Sequence, residues 1–97
     1  AAVDAYNTSL VRSTPTALSA GRSSLAATSV GDYALFGGGY SVSAVVDAYN
    51  TSLVRSTPAP LSVGRQELAA TSVGDYTLFG GGNTGSYSSV VNVYQYK

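Results

Sequence analysis

The sequence contains no cysteine, histidine, methionine or tryptophan, and its few charges are 5 Lys+Arg against 5 Asp+Glu. Without cysteine and histidine the chain has no disulfide, no thiol chemistry and no imidazole base. It also lacks the ligands of nearly all zinc and copper sites. We therefore predict no metal and no cofactor.

The balanced charge includes no basic cluster, so we predict no binding to nucleic acid or to an anionic membrane surface. A charged-then-apolar leader is absent, as is any apolar run of about 18 residues. We predict neither targeting nor membrane insertion from this sequence, and the compartment stays open. The chain opens on Ala1 inside a repeat, which indicates a processed chain or a piece of a longer one.

One stretch of the chain is written twice. Residues 4–39 recur as residues 47–82, and a partial third copy places 90–94 opposite 45–49. Two repeat units seldom bury each other's faces completely, so we expect copies of the chain to assemble. Between 4–39 and 47–82 the mismatches are Thr16/Ala59, Ala17/Pro60, Ala20/Val63, Ser23/Gln66, Ser24/Glu67 and Ala34/Thr77.

Each repeat predicts four short β-strands. No useful window has the 3.6-residue apolar period of a helix, whereas β-rich runs alternate with turn residues such as Gly31-Asp32. Pro15 stops one of the runs because proline cannot donate to a strand ladder. The predicted strands are 1–7, 9–14, 25–30, 33–36, 44–49, 53–57, 68–73, 76–79 and 90–96.

The order of these features resembles a kelch repeat. Gly21-Arg22 precedes a strand, a Gly-Asp-Tyr hairpin, a second strand and a glycine cluster, and Val-Val-Asp-Ala-Tyr-Asn follows at 45–50. The resemblance spans the chain, although Leu53-Val54 replaces the usual aromatic of the fourth strand and the glycine doublet is a triplet. It implies an all-β fold of four-stranded antiparallel propeller blades, completed by oligomerisation or belonging to a longer propeller.

In that frame the strands of a blade are A, B, C and D from the inside outwards. The chain then divides into C and D strands of a split blade at 1–16, a complete blade at 17–58 and A-B-C strands at 59–97. The D strand at 9–14 would complete A-B-C of another copy, and whole rings of four to eight blades would be dimers, trimers or tetramers. We favour the trimer. The C strands at 1–6 and 90–96 compete for one place, and either can be displaced.

The repeat mismatches gather in the D-to-A and B-to-C connections, which emerge on one face of a blade. Drift in long loops is one explanation, and a recognition face is the other. On the second interpretation the binding residues are those of the variable loops: Arg22, Tyr40, Arg65, Gln66, Glu67, Asn83 and Tyr87.

Recurring residues have structural and functional interpretations. Tyr6, Tyr49 and Tyr94 share one repeat position, where they either stack on sugar rings or pack with bonded hydroxyls. Asp4 and Asp47 also recur, as most charges do, and this favours a structural role because a propeller active site combines unlike residues. We expect Asp47 and an arginine to tie the C and D strands of a blade, or neighbouring blades. Gly80, Gly82 and Gly85 have dinucleotide-motif spacing, but a strand follows them rather than a helix, which indicates turn glycines.

We therefore predict a non-enzymatic, self-assembling scaffold that recognises a protein or a glycan. The alternative is a purely structural or designed repeat fragment with no ligand. A propeller hydrolase is a further alternative, although the repeats supply neither an arginine cluster nor several unlike acids. Kelch-like copper oxidases use histidine and cysteine ligands, which this chain lacks.

Overall fold

The computed structural model describes residues 2–96, and this part of the chain is all-β with no helix. The predicted fold class is confirmed at this level. The predicted first strand began at Ala1 and the last domain ended at Lys97, and both of these residues lie outside the described range. Across 2–96 no helix is long and apolar enough to cross a membrane.

Between residues 2 and 96, nine strands form three antiparallel sheets, whose orders are β1-β2, β3-β4-β5-β6 and β7-β8-β9. All the neighbours within a sheet are consecutive in the chain, so each sheet is a simple meander. The strands are β1 (Ala5–Tyr6), β2 (Arg12–Ser13), β3 (Ala26–Val30), β4 (Tyr33–Gly37), β5 (Val46–Tyr49), β6 (Arg55–Ser56), β7 (Ala69–Val73), β8 (Tyr76–Gly80) and β9 (Val91–Gln95).

The repeats fold with matching registers. β3 pairs with β4 from Ala26↔Gly37 to Val30↔Tyr33, and β7 pairs with β8 from Ala69↔Gly80 to Val73↔Tyr76. A two-residue Gly-Asp turn closes both hairpins, as predicted. The third strand follows in each repeat, β5 beside β4 and β9 beside β8.

The strands predicted at 9–14 and 53–57 are much shorter in the structure. β2 and β6 each keep two residues, because an asparagine organises the loop before them. The Oδ1 atom of Asn7 accepts hydrogen bonds from the amides of Ser9 and Val11, and Leu10 has a φ of 62°. Asn50 and Leu53 repeat this arrangement, with a φ of 61° at Leu53. Asparagine side chains commonly stabilise such loops by bonding to nearby backbone amides.

The core lies between the four-stranded and three-stranded sheets, where β3 packs against β7 and β8. Phe79 is fully buried there, and burying a phenylalanine side chain contributes about 1.5–3 kcal/mol. It fits because residue 37 is glycine: a Cβ at Gly37 would lie 2.7 Å from the Phe79 ring. The buried apolar residues are Val30, Leu35, Val46, Ala48, Leu61, Leu68 and Phe79.

Candidate recognition face and two buried arginines

The variable connections lie together at one end of the two larger sheets. The amide of Tyr40 donates to the Ser23 carbonyl at 2.7 Å, and the amide of Glu67 donates to the Ser24 carbonyl at 2.8 Å. Gly39 N likewise donates to the Arg65 carbonyl. These bonds link the loop after β4 to both loops that precede the first strand of a repeat. The repeat pattern predicted that these connections share a face, and the hydrogen bonds agree with it.

Two tyrosines stand out from this end, which we call the recognition face and define by Tyr40, Gln66, Glu67, Asn83 and Tyr87. Tyr87 is 95% exposed and Tyr40 is 62% exposed. Exposed aromatic side chains offer apolar area together with a hydroxyl, the combination that suits both protein and sugar ligands. Glu67 is also exposed at this end.

Gln66 and Asn83 form the half-buried floor of the recognition face. Their backbones exchange two hydrogen bonds, at 3.1 Å from Gln66 N and 2.9 Å from Asn83 N. The Asn83 Oδ1 atom also accepts a bond from Gly85 N at 2.7 Å, which shapes the loop that carries Tyr87. The loop is therefore held by its own polar groups, with the Tyr87 ring at the surface.

Arg22, a predicted binding residue, lies inside the protein. Its Nη1 atom forms an ion pair with Asp47 Oδ2 at 3.1 Å, with the two side chains 2% and 0% exposed. Its Nη2 atom donates to the Phe36 carbonyl on β4, and Ser19 N donates to the same Asp47 oxygen. The Asp–Arg pair was expected to join the third and fourth strands or neighbouring blades. Instead it fastens the connection before β3 to β4 and β5.

Arg65 occupies the same site in the second repeat and is fully buried. Its Nη1 donates at 2.9 Å to the Oδ1 atom of Asn92, and its Nη2 donates at 3.0 Å to the Phe79 carbonyl. Burial lowers the pKa of Arg65, and its coupling to Tyr94 opposes that shift. Thus a neutral amide stands where the first repeat has a carboxylate. Neither arginine reaches the recognition face, which consists of the other five predicted residues.

Tyr49 and Tyr94 follow the packed interpretation. Each hydroxyl donates to a carbonyl at 2.6 Å, from Tyr49 to Thr16 and from Tyr94 to Ala59. Burial raises the pKa of both, and nearby Asp47 raises that of Tyr49 further. Tyr6, at the same repeat position, is 63% exposed.

A cleft of about 350 Å³ separates the outer parts of the two larger sheets. Tyr33, Tyr94 and Tyr96 line it together with Pro58. The Tyr96 hydroxyl donates to Asp32 Oδ2 at 3.1 Å, and this bond is the first cause of the raised pKa of Tyr96. The sequence did not predict the contact of Tyr96, because the other repeats have no tyrosine at the position equivalent to residue 96.

The described residues contain no group of three or more acidic side chains that could hold a metal ion. No protein-family model matches this chain, and no curated protein matches it in sequence.

Proposed function

We propose that the chain is a self-assembling, non-enzymatic module of a kelch-like propeller, with the recognition face directed at a protein or a glycan. One observation carries the assembly: equivalent side chains are buried in one sheet and exposed in the other. Val30 is 7% exposed where it meets the three-stranded sheet, whereas its repeat mate Val73 is 65% exposed. Ala48 is 5% exposed, whereas Val93, at the matching position of β9, is 55% exposed.

The outer face of the three-stranded sheet is therefore an apolar surface of the kind that the same fold buries elsewhere. Contiguous exposed apolar area of this type marks an interaction site. Within the chain, the equivalent face of the four-stranded sheet packs against the inner face of β7–β8. The residues equivalent to that inner face lie on the outer side of β3–β4, where Ala27 and Phe36 line a groove. The two outer faces thus complement each other, and head-to-tail contacts of this kind close into rings of two, three or four chains. We favour three.

Sedimentation equilibrium and native mass spectrometry test the assembly over micromolar concentrations. We expect a mass of three chains, with dimer and tetramer as the other closed rings. Val73→Glu should shift the protein towards monomer without unfolding it, since this side chain is exposed. Val54→Glu, at a 58% exposed position beside β6, is the matched control and should leave the mass unchanged. A folded wild-type monomer throughout would contradict the assembly.

The recognition part is supported by Tyr87 and Tyr40, because two exposed rings on hydrogen-bonded loops of one face offer apolar area and hydroxyl groups to a ligand. A glycan and peptide array probed with the assembled protein is the test. Tyr87→Ala and Glu67→Gln should reduce binding at least tenfold. Val54→Ala, at a 58% exposed apolar side chain outside both proposed surfaces, is the control. No reproducible ligand would favour the purely structural alternative.

A further inference from the structure

The N-terminal hairpin has the same sequence as part of a complete sheet. Residues 3–15 and 46–58 are identical, and the hairpins that they form share one register: Tyr6↔Arg12 in β1–β2 and Tyr49↔Arg55 in β5–β6. The later copy adds its two strands to β4 and completes four strands. The first copy pairs with itself alone. The sequence of the first copy therefore suits a place beside the second strand of a repeat, as β5 lies beside β4. In its own chain β1 lies beside β2 alone.

The strand that could accept the hairpin is β8, the second strand of the later repeat. Its neighbour β9 ends a sheet of only three strands and provides Asn92 to the buried Arg65. In the complete sheet the equivalent position holds Asp47, a full counter-charge for Arg22. Burying a guanidinium ion costs several kcal/mol of hydration, which a paired carboxylate offsets and a neutral amide offsets only in part.

The hairpin contains the missing carboxylate. Asp4 is the repeat mate of Asp47, and it is exposed and forms no ion pair with any residue in 2–96. Tyr6 is 63% exposed, whereas Tyr49 is buried, Tyr94 is half-buried, and both donate to a loop carbonyl. Asp4 and Tyr6 thus lack the partners that their repeat mates have, and Arg65 lacks the partner that Arg22 has.

We propose that the hairpin of one copy displaces β9 from β8 of a second copy, so that Asp4 pairs with Arg65 of that copy. This inference rests on the proposed self-assembly. It attributes the preference of β8 for the hairpin over β9 to the carboxylate of Asp4. By the register of β8 with β9, Phe79 faces Asp4, Leu78 faces Ala5 and Thr77 faces Tyr6. β2 then becomes the fourth strand, and the Tyr6 hydroxyl takes over the Ala59 carbonyl from Tyr94.

β9 resists displacement because it is tethered to β8 through the short connection 81–90. A short tether keeps β9 at an effective concentration in the millimolar range. The incoming hairpin offsets this advantage with an additional strand and a buried ion pair. Exchange should therefore be concentration-dependent, and a change of a single charge should tip it.

Two substitutions that leave the rest of the fold alone test the pairing by sedimentation equilibrium. Asn92→Asp gives β9 its own carboxylate, and Asp4→Asn removes the carboxylate from the hairpin. Each should weaken assembly at least tenfold while the melting temperature of the monomer is kept or, for Asn92→Asp, raised. The control is Asp75→Asn, at an exposed aspartate in the β7–β8 turn, and it should assemble like the wild type.

Cross-linking provides a readout that does not depend on affinity. The chain has no cysteine, so Ala5→Cys in one copy and Leu78→Cys in another are the only thiols in a mixture. Oxidation should link them into a heterodimer, whereas Ala5→Cys mixed with Val54→Cys should stay unlinked. If both charge variants assemble with the wild-type constant and the first pair fails to cross-link, the hairpin proposal falls while face-to-face assembly stands. A wild type that is monomeric throughout would overturn both.

Discussion

The four-stranded and three-stranded sheets are built from nearly the same residues in different surroundings. Val30 in the first is buried, and Val73 in the second is largely exposed. The buried arginine of the first faces Asp47, and that of the second faces Asn92. The comparison teaches that the burial of a repeat residue depends on which sheet contains it. It also shows that the neutral amide of Asn92 leaves the buried charge of Arg65 without the counter-charge that Asp47 gives to Arg22.

The largest expected difference concerns the two buried arginines. Asp47→Ala leaves the charge of Arg22 buried without its partner, which should cost about 3–5 kcal/mol of unfolding free energy. Asn92→Ala removes the hydrogen bonds of a neutral amide with Arg65 and Ser62, and it should cost about 1–3 kcal/mol because no counter-charge is lost. Urea unfolding at neutral pH measures both. Equal losses would mean that the carboxylate and the amide serve their arginines alike.

The glycine triplets give the next contrast. Gly38 and Gly81 have φ values of 73° and 72°, and a side chain in this conformation costs about 1–2 kcal/mol. A Cβ at Gly38 would also lie 2.7 Å from the Arg65 carbonyl and from Leu68, whereas at Gly81 the nearest atom is Ser88 O at 3.7 Å. We expect Gly38→Val to lose about 1–3 kcal/mol more than Gly81→Val, because only the former overfills a contact. Thermal unfolding of the two single variants decides it.

Tyr49 and Tyr94, whose hydroxyls both donate to a loop carbonyl, should respond alike to pH and to substitution, so the two sheets should not differ here. Their pKa values are raised above 10.0, so above pH 10 the unfolded chain releases a proton that the folded chain retains. These groups should therefore add no pH dependence to the stability well below pH 10, and their contribution to stability should be lost as the pH rises beyond it. Tyr49→Phe and Tyr94→Phe should each lose about 0.5–1.5 kcal/mol at neutral pH and flatten the alkaline decline. Circular dichroism against pH would show an unchanged slope if the hydroxyls were not coupled to folding.

The smallest difference concerns the one repeat mismatch that lies within a strand. Thr77 is fully buried, and its hydroxyl has no partner among the described residues, whereas its mate is Ala34. Thr77→Ala should gain up to about 1 kcal/mol, since removal of an unsatisfied buried group is favourable. Ala34→Thr, at a half-buried site, should stay within about 0.5 kcal/mol. A loss for Thr77→Ala would indicate that its methyl group contributes more than its hydroxyl costs.

The repeat pattern predicted the strands well because hairpin turns and β-rich runs are local signals. The Gly31-Asp32 turn and the strands beside it need only neighbouring residues to form. β2 and β6 were overestimated because β propensity does not reveal that Asn7 and Asn50 bind the amides that follow them.

The sequence predicted that the variable connections lie together at one end, but not that the side chains of two of the seven residues assigned to the candidate recognition face are buried. Arg22 and Arg65 were assigned to it because they lie in the connections that precede the first strand of each repeat. Their burial depends on partners 25 and 27 residues away, which no local pattern shows. One signal was present in the sequence: the partial third copy has Asn92 where the other copies have aspartate, and a switch from acid to amide opposite a recurring arginine marks a difference in pairing.

The contact between Tyr96 and the Gly31-Asp32 turn has a mechanical consequence. It fastens the two larger sheets at one end of β3, and the hydrogen bonds among Ser24, Arg65 and their neighbours fasten them at the other end, roughly 17 Å away for a five-residue strand. Two fixed points resist both sliding and tilting of one sheet on the other. The angle between the two larger sheets is thereby set within a single chain, and the curvature of any ring that such chains form follows from that angle.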